Sequence, residues 1–235
     1  MTIPGITPQL PLAWRAPADA RLDTFLHAPP GAIAALGALA RGDAGTWVLV
    51  VGAPGTGKSH LLLGACAHAE ARGRRAAYVP LSHARGRVGE AIAGADAASF
   101  VAIDGVEAIA GAREDEVALF EAHNRLRAAG VGVAYAATHA PDGLPLAVPD
   151  LRSRLAQCLR VVLEPLDDDG RADVLRARAE RRGLALDPAA IDWLLRREGR
   201  ELAHLTALLD RLDRASLAAQ RRVTVPFLRQ VLDRQ

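Results

Sequence analysis

From Trp47 onward, short apolar runs alternate with longer stretches whose apolar positions recur at helical spacing. The short runs are Trp47–Val51, Ala76–Leu81, Phe100–Asp104, Val131–Ala136 and Arg160–Leu163, each the length of one strand. Between them lie amphipathic segments such as Ser59–Arg72 and Asp115–Ala129. Strands separated by helices of this length imply βαβ crossovers, and so a parallel sheet. The expected class is α/β.

Beyond Pro165 the strand pattern stops. Asp168–Arg182 reads as a helix. Asp187 then offers an N-cap with Pro188 at the first helical position, and Ile191, Leu194 and Leu195 supply the apolar face of the next helix. A third helix is expected over roughly residues 200–220, and Thr224-Val225-Pro226 opens a fourth. At the other end, Pro4, Pro8, Pro11 and Pro17 forbid regular helix and bias their predecessors to extended backbone. The expected organisation is a tail over residues 1–20, an α/β core over 21–165 and a small all-helical domain over 166–235.

Composition changes this picture little. The chain has 235 residues, half of them hydrophobic, which suits one large and one small domain. Aromatic residues make up 4%, so the core must be mostly Ala, Leu and Val. The formal net charge of +2 does not mark a dedicated nucleic-acid binder. Counted along the chain, residues 1–150 carry 12 Lys/Arg against 14 Asp/Glu, and residues 151–235 carry 17 against 13. That asymmetry suggests a polar contact surface, not a DNA groove. No apolar run approaches the ~18–20 residues of a membrane helix, and Met1 to Leu10 lacks a signal-peptide pattern. Cys66 and Cys158 sit in apolar-periodic segments without metal-ligand spacing, and read as buried reduced thiols of a cytoplasmic protein.

The chemistry concentrates after the first strand, in Gly52-Ala53-Pro54-Gly55-Thr56-Gly57-Lys58-Ser59. This is a P-loop, the Walker A motif, in the strand-to-helix setting it requires. Gly52, Gly55, Thr56 and Gly57 let backbone N–H groups close around phosphates; Lys58 reaches the terminal phosphates, and the Ser59 hydroxyl can ligate Mg²⁺. Lys58 is the only lysine among 29 basic residues. Chance would put a lone lysine there roughly once in two hundred placements. A compact ammonium suits the site, whereas arginine's planar fork does not. His60 continues the motif and is counted with the nucleotide-binding stretch, although as a histidine it reads as structural, like His123 and His204. The strand Phe100–Asp104 ends in a carboxylate, the Walker B pattern, in which Asp104 would hold a Mg²⁺-bound water. The expected cofactors are ADP or ATP with Mg²⁺.

A P-loop, a strand-borne aspartate and a helical C-terminal domain together resemble the AAA+ ATPases. The resemblance implies a P-loop AAA+ parallel-sheet core with a C-terminal helical lid. It also implies a base next to the strand aspartate; Gly105 stands there without a side chain, with Glu107 two residues on. Hydrolysis at this site is therefore expected to be weak. An arginine of the short helix begun by Pro149-Asp150-Leu151-Arg152-Ser153-Arg154 would reach a neighbouring molecule's γ-phosphate, with Arg154 the first choice and Arg152 the alternative. Arg200, opening the third lid helix, would touch the chain's own nucleotide. Thr138, after the fourth strand, takes the polar sensor position.

More specifically, the P-loop with its continuation His60-Leu61-Leu62, Tyr78-Val79-Pro80-Leu81, Ile103-Asp104 with Ile109-Ala110-Gly111, Leu151–Leu155 and the stretch Leu212–Phe227 resemble the Hda family of DnaA-homologous regulators. The resemblance covers nearly the whole chain. It implies a negative regulator of replication initiation that docks on the DNA-loaded sliding clamp (the polymerase β subunit) and promotes hydrolysis of DnaA-bound ATP. DNA would be met mainly through the clamp, and a homo-oligomer remains open. Gln9-Leu10-Pro11-Leu12-Ala13-Trp14 is similar to the clamp-binding peptide: Leu12 and Trp14 would fill an apolar pocket, and Gln9 would bond at its rim. DnaA continues beyond its lid into a DNA-binding domain whereas this sequence stops at Gln235, so no origin-reading segment is expected. The alternatives are an AAA+ helicase loader, which would need a competent base beside Asp104, and a DnaA-like initiator ATPase module.

Overall fold

The structure, a computed structural model, describes residues 20–43, 45–95, 97–197, 202–219 and 222–232, with side chains throughout except at 203 and 217–219. Two compact units divide at Glu164 and Pro165. The first contains α1 (Ala32–Arg41), β1 (Val48–Gly52), α2 (Lys58–Glu70), β2 (Ala76–Pro80), α3 (Val88–Ala93), β3 (Phe100–Asp104), α4 (Arg113–Ala128), β4 (Gly132–Ala137), α5 (Pro149–Ala156) and β5 (Leu159–Leu163). The five strands form one sheet in the order β2-β3-β4-β1-β5, and every pairing is parallel.

The three inner strands β3, β4 and β1 are buried at every position. Such strands need apolar side chains on both faces, which is why they read as continuous runs. Each expected strand is present, displaced by at most one residue at an end. Gly52 closes β1 opposite Leu163; a Cβ at Gly52 would stand 2.6 Å from the Leu163 carbonyl oxygen, so only glycine lets the two strands meet there. Two helices go beyond the sequence pattern. α1 is rich in Ala and Leu without a clear polar stripe, and α3 is six residues long, less than two helical turns.

A buried carboxylate organises the loops at one end of α4. Glu116 is wholly buried and accepts N–H bonds from Gly111 (2.7 Å), Ala147 (3.0 Å) and Val148 (2.7 Å). Three backbone donors replace its hydration, the condition under which a carboxylate tolerates burial. The last two precede α5 directly, so Glu116 fixes where that helix begins.

The second unit is a four-helix arrangement of α6 (Asp168–Arg181), α7 (Pro188–Arg197), α8 (Leu202–Ala219) and α9 (Val225–Leu232). Its core holds Leu175, Ile191, Leu194, Leu208, Leu209 and Phe227 among others. The Asp167 carboxylate caps α6 by accepting the Gly170 N–H at 2.8 Å, and Asp187 accepts the Ala189 N–H at 2.9 Å at the start of α7. A parallel bridge between Leu186 and Val223 joins the segments that precede α7 and α9. Among the described residues no helix is long and apolar enough to cross a membrane.

The first unit's core contains one histidine. His123, on α4, packs edge-on to Trp47 with ring centroids 4.5 Å apart, and its Nδ1 lies 3.0 Å from the Tyr135 hydroxyl. Burial, with Arg154 and then Arg127 nearby, pushes its pKa down to about 4 from 6.5. The unfolded chain thus takes up a proton that the folded one refuses. The contribution to stability is complete above pH 6.5 and is lost as pH falls towards 4, by at most about 1.4 kcal/mol per unit. Thermal melts between pH 7.5 and 4.5 should show a steep fall in Tm, and His123→Gln should flatten it; equal slopes would refute the assignment.

Candidate nucleotide-binding site

The site is built where β1 runs into α2. Gly55 and Gly57 take φ of +80° and +97°, the left-handed region that glycine enters at little cost. A Cβ at Gly57 would also come within 2.8 Å of the Phe25 ring. Gly57 precedes α2 with no capping side chain, so the first-turn amides keep the anion-binding character of a helix N-terminus.

Lys58 is buried, and its Nζ donates to the carbonyl oxygens of Gly52 (2.6 Å) and Ala53 (2.9 Å). Burial lowers its pKa, and the negative charges of Glu107 and then Asp104 offset part of that. The Ser59 hydroxyl donates to Asp104 Oδ2 at 2.5 Å, joining groups 45 residues apart. Walker A and Walker B therefore meet. Tyr78, on β2, donates from its hydroxyl to the same oxygen at 2.5 Å, and burial together with Asp104 raises its pKa, so the phenol stays protonated. Thr138 presents its backbone N–H to Glu107 Oε2 at 3.0 Å, while its hydroxyl bonds the His139 ring.

Gly105 has a conformational reason of its own. Its φ is +79°, and its N–H donates to the Ala136 carbonyl at the head of a 3-10 turn, Val106–Ile109. The left-handed turn carries Glu107 to the Thr138 amide and into electrostatic range of Lys58. Thus Glu107, uncertain from spacing alone, belongs to this cluster, as does Tyr78, which bore no assigned role in the sequence reading. His60 lies beside it, its ring 5.6 Å from that of Phe25.

The two arginines of α5 differ. Arg152 is half-buried, and its guanidinium donates to the Leu146 carbonyl at 2.6 Å; Arg154 is exposed. Two residues along a helix are about 200° apart, so one side chain facing inward sends the other outward. A groove of about 610 Å³ opens beside α5, lined by Asp142, Arg152, Ser153, Cys158 and Arg160 among others. Next to it on the sheet-edge strand β5, Leu159 and Val162 are exposed. Cys66 is buried and Cys158 half-buried; both are free, with pKa values raised by burial to about 12 and about 11. No group of three His, Cys, Asp or Glu able to hold a metal occurs among the described residues. Arg200 and the peptide Gln9, Leu10, Leu12 and Trp14 lie outside the described residues.

A parallel sheet with a P-loop at the end of β1, an aspartate at the end of β3 and a separate helical unit defines an AAA+ fold. The structure resembles domain III of the replication initiator DnaA from Thermotoga maritima at a TM-score of 0.74 and 20% identity, covering 93% of this chain and 97% of that one. It also resembles AMPPCP-bound DnaA from Aquifex aeolicus (TM-score 0.69, 22% identity, 83% of this chain and 65% of that one). The Thermotoga maritima RuvB Holliday junction branch migration motor is more distant, at a TM-score of 0.61 and 17% identity over 86% of this chain and 66% of that one. This chain thus spans just under two thirds of the Aquifex DnaA chain. Residues 168–232 match the family described as Hda, lid domain.

The residues present fit a nucleotide with Mg²⁺: a buried ammonium, uncapped helix amides and a hydroxyl–carboxylate pair. Lys58 would exchange its carbonyl partners for phosphate oxygens, a charge-assisted bond. Hydrogen bonds to charged groups contribute about 1.5–3 kcal/mol, so Lys58→Ala should weaken ADP binding about 10- to 100-fold by calorimetry. Lys58→Arg should not restore it, because the planar guanidinium does not fit the ammonium's place. An unchanged dissociation constant for Lys58→Ala would remove the site assignment.

Proposed function

We propose that this chain is a negative regulator of replication initiation that promotes hydrolysis of the ATP bound to DnaA. Arg154 is the arginine supplied in trans, and the chain is concentrated where it acts by docking on the DNA-loaded sliding clamp through Gln9, Leu10, Leu12 and Trp14. Its P-loop would hold ADP or ATP, and Ser59, with Asp104 through a water, would hold Mg²⁺. That ion would supply charge neutralisation for the phosphates.

The observation that carries this reading is the contrast on α5. Arg154 is exposed where Arg152 is tied to Leu146, and a finger must leave its own subunit. Leu159 and Val162 of the edge strand β5, which follows α5, are exposed and add apolar area for a protein contact. Gly105, without a carboxylate, agrees with a protein whose catalytic event lies in its partner's site. An arginine finger contributes about 10³–10⁵ in phosphoryl-transfer rate. Arg154→Ala should therefore abolish stimulation of DnaA's ATPase while leaving the chain's own ADP affinity intact, and Arg152→Ala should lose less. The reverse order would transfer the role to Arg152.

A second reading, an AAA+ protein that hydrolyses its own ATP, draws on Glu107, held by the Thr138 amide beside Lys58. Turnover by the purified chain that disappears in Glu107→Gln would favour it.

For the tail, apolar anchors dominate small interfaces, at about 2 kcal/mol or more each on truncation. The double variant Gln9→Ala with Leu12→Ala should lose clamp binding in a pulldown on clamp-loaded DNA and keep its ADP affinity and Tm. Normal clamp binding by that variant would remove the tail from the mechanism.

A further inference from the structure

We infer that Tyr78 is a positioning residue of the Mg²⁺ site: its hydroxyl, together with that of Ser59, fixes the Asp104 carboxylate that would orient a metal-bound water. The inference rests on the nucleotide-binding reading above.

The geometry is specific. β2 lies beside β3 in parallel register, with Tyr78 opposite Ala102 and Pro80 opposite Asp104. From two positions back, a phenol has the reach to bring its oxygen to the carboxylate at the strand's end. It donates to Oδ2 at 2.5 Å, the oxygen that also accepts the Ser59 hydroxyl at 2.5 Å. Both donors thus converge on one oxygen. The Tyr78 ring is half-buried against the core, so its two torsions are restrained by packing and the hydroxyl is a fixed point.

The two donors are not equivalent. Ser59 belongs to the P-loop, and its hydroxyl would bind Mg²⁺ through an oxygen lone pair while its proton still serves Asp104. Tyr78 belongs to a neighbouring strand and serves the carboxylate alone. A carboxylate that loses one of its two donors rotates more freely about its last torsion, and a water that it should orient would then be held at an entropic cost. Phenylalanine at this position would fill the same space and leave Asp104 without that donor.

The test is a calorimetric titration of ADP in excess Mg²⁺ and in EDTA, for wild type, Tyr78→Phe, Asp104→Asn and the double variant. The readout is the Mg²⁺ gain, meaning the ratio of the two dissociation constants. Tyr78→Phe should reduce that gain about tenfold, or erase it if it is smaller, the size expected for one hydrogen bond to a charged group. It should change the affinity in EDTA by less than about twofold. In the Asp104→Asn background it should change the gain no further, because Tyr78 acts through that carboxylate. An undiminished gain in Tyr78→Phe overturns the inference. So does an equal loss of affinity in both buffers, which marks a packing role, and so does an additive effect in the double variant. Wild type failing to bind ADP in either buffer would instead overturn the nucleotide-binding reading, and this inference with it.

Discussion

Parallel pairing is the constraint from which the site follows. With every strand running the same way, the carboxyl ends of β1 to β5 gather along one edge of the sheet. The groups that leave those ends meet there however far apart they are in sequence. The P-loop leaves β1, Asp104 ends β3, Thr138 follows β4, and Tyr78 stands near the end of β2. The same direction obliges the chain to cross back by helices. α2 is one such crossover, and its uncapped first turn has the amides that suit an anion.

The electrostatics of that edge are balanced around one ammonium. Burial works against the charge on Lys58, and Glu107 and Asp104 restore part of it while two carbonyl oxygens accept its hydrogen bonds. Ser59 and Asp104 likewise satisfy each other. Each functional group is thus held by a protein partner weaker than the one a phosphate or a divalent cation would provide. Such exchange lets a polar site stay folded without leaving a buried charge unsatisfied.

α5 illustrates how packing selects among chemically equal residues. Glu116, fully buried, grips the Ala147 and Val148 amides just before this helix starts. The helix then has a set phase, with Leu151 and Leu155 in the core. Arg152 is drawn to the Leu146 carbonyl and Arg154 is left exposed. A carboxylate on one helix thereby sets which arginine of another is exposed.

The sequence by itself determined what depends on neighbouring residues. Gly52 to Ser59 spell a P-loop, because phosphate binding by backbone amides needs glycine and lysine at fixed short spacing. Continuous apolar runs specified the inner strands, and Asp187-Pro188 specified the start of α7. What only the tertiary structure decided involves distance across the fold. Tyr78 and Asp104 are 26 residues apart, and Thr138 and Glu107 are 31 apart. No local pattern marks those pairs, since strand register and a left-handed turn at Gly105 bring them together. The exposure of Arg154 likewise rests on the phase of α5, which Glu116 sets through amides 31 and 32 residues away. Local spacing encodes the chemistry of a motif, whereas the sheet's non-local pairing encodes which other groups stand beside it.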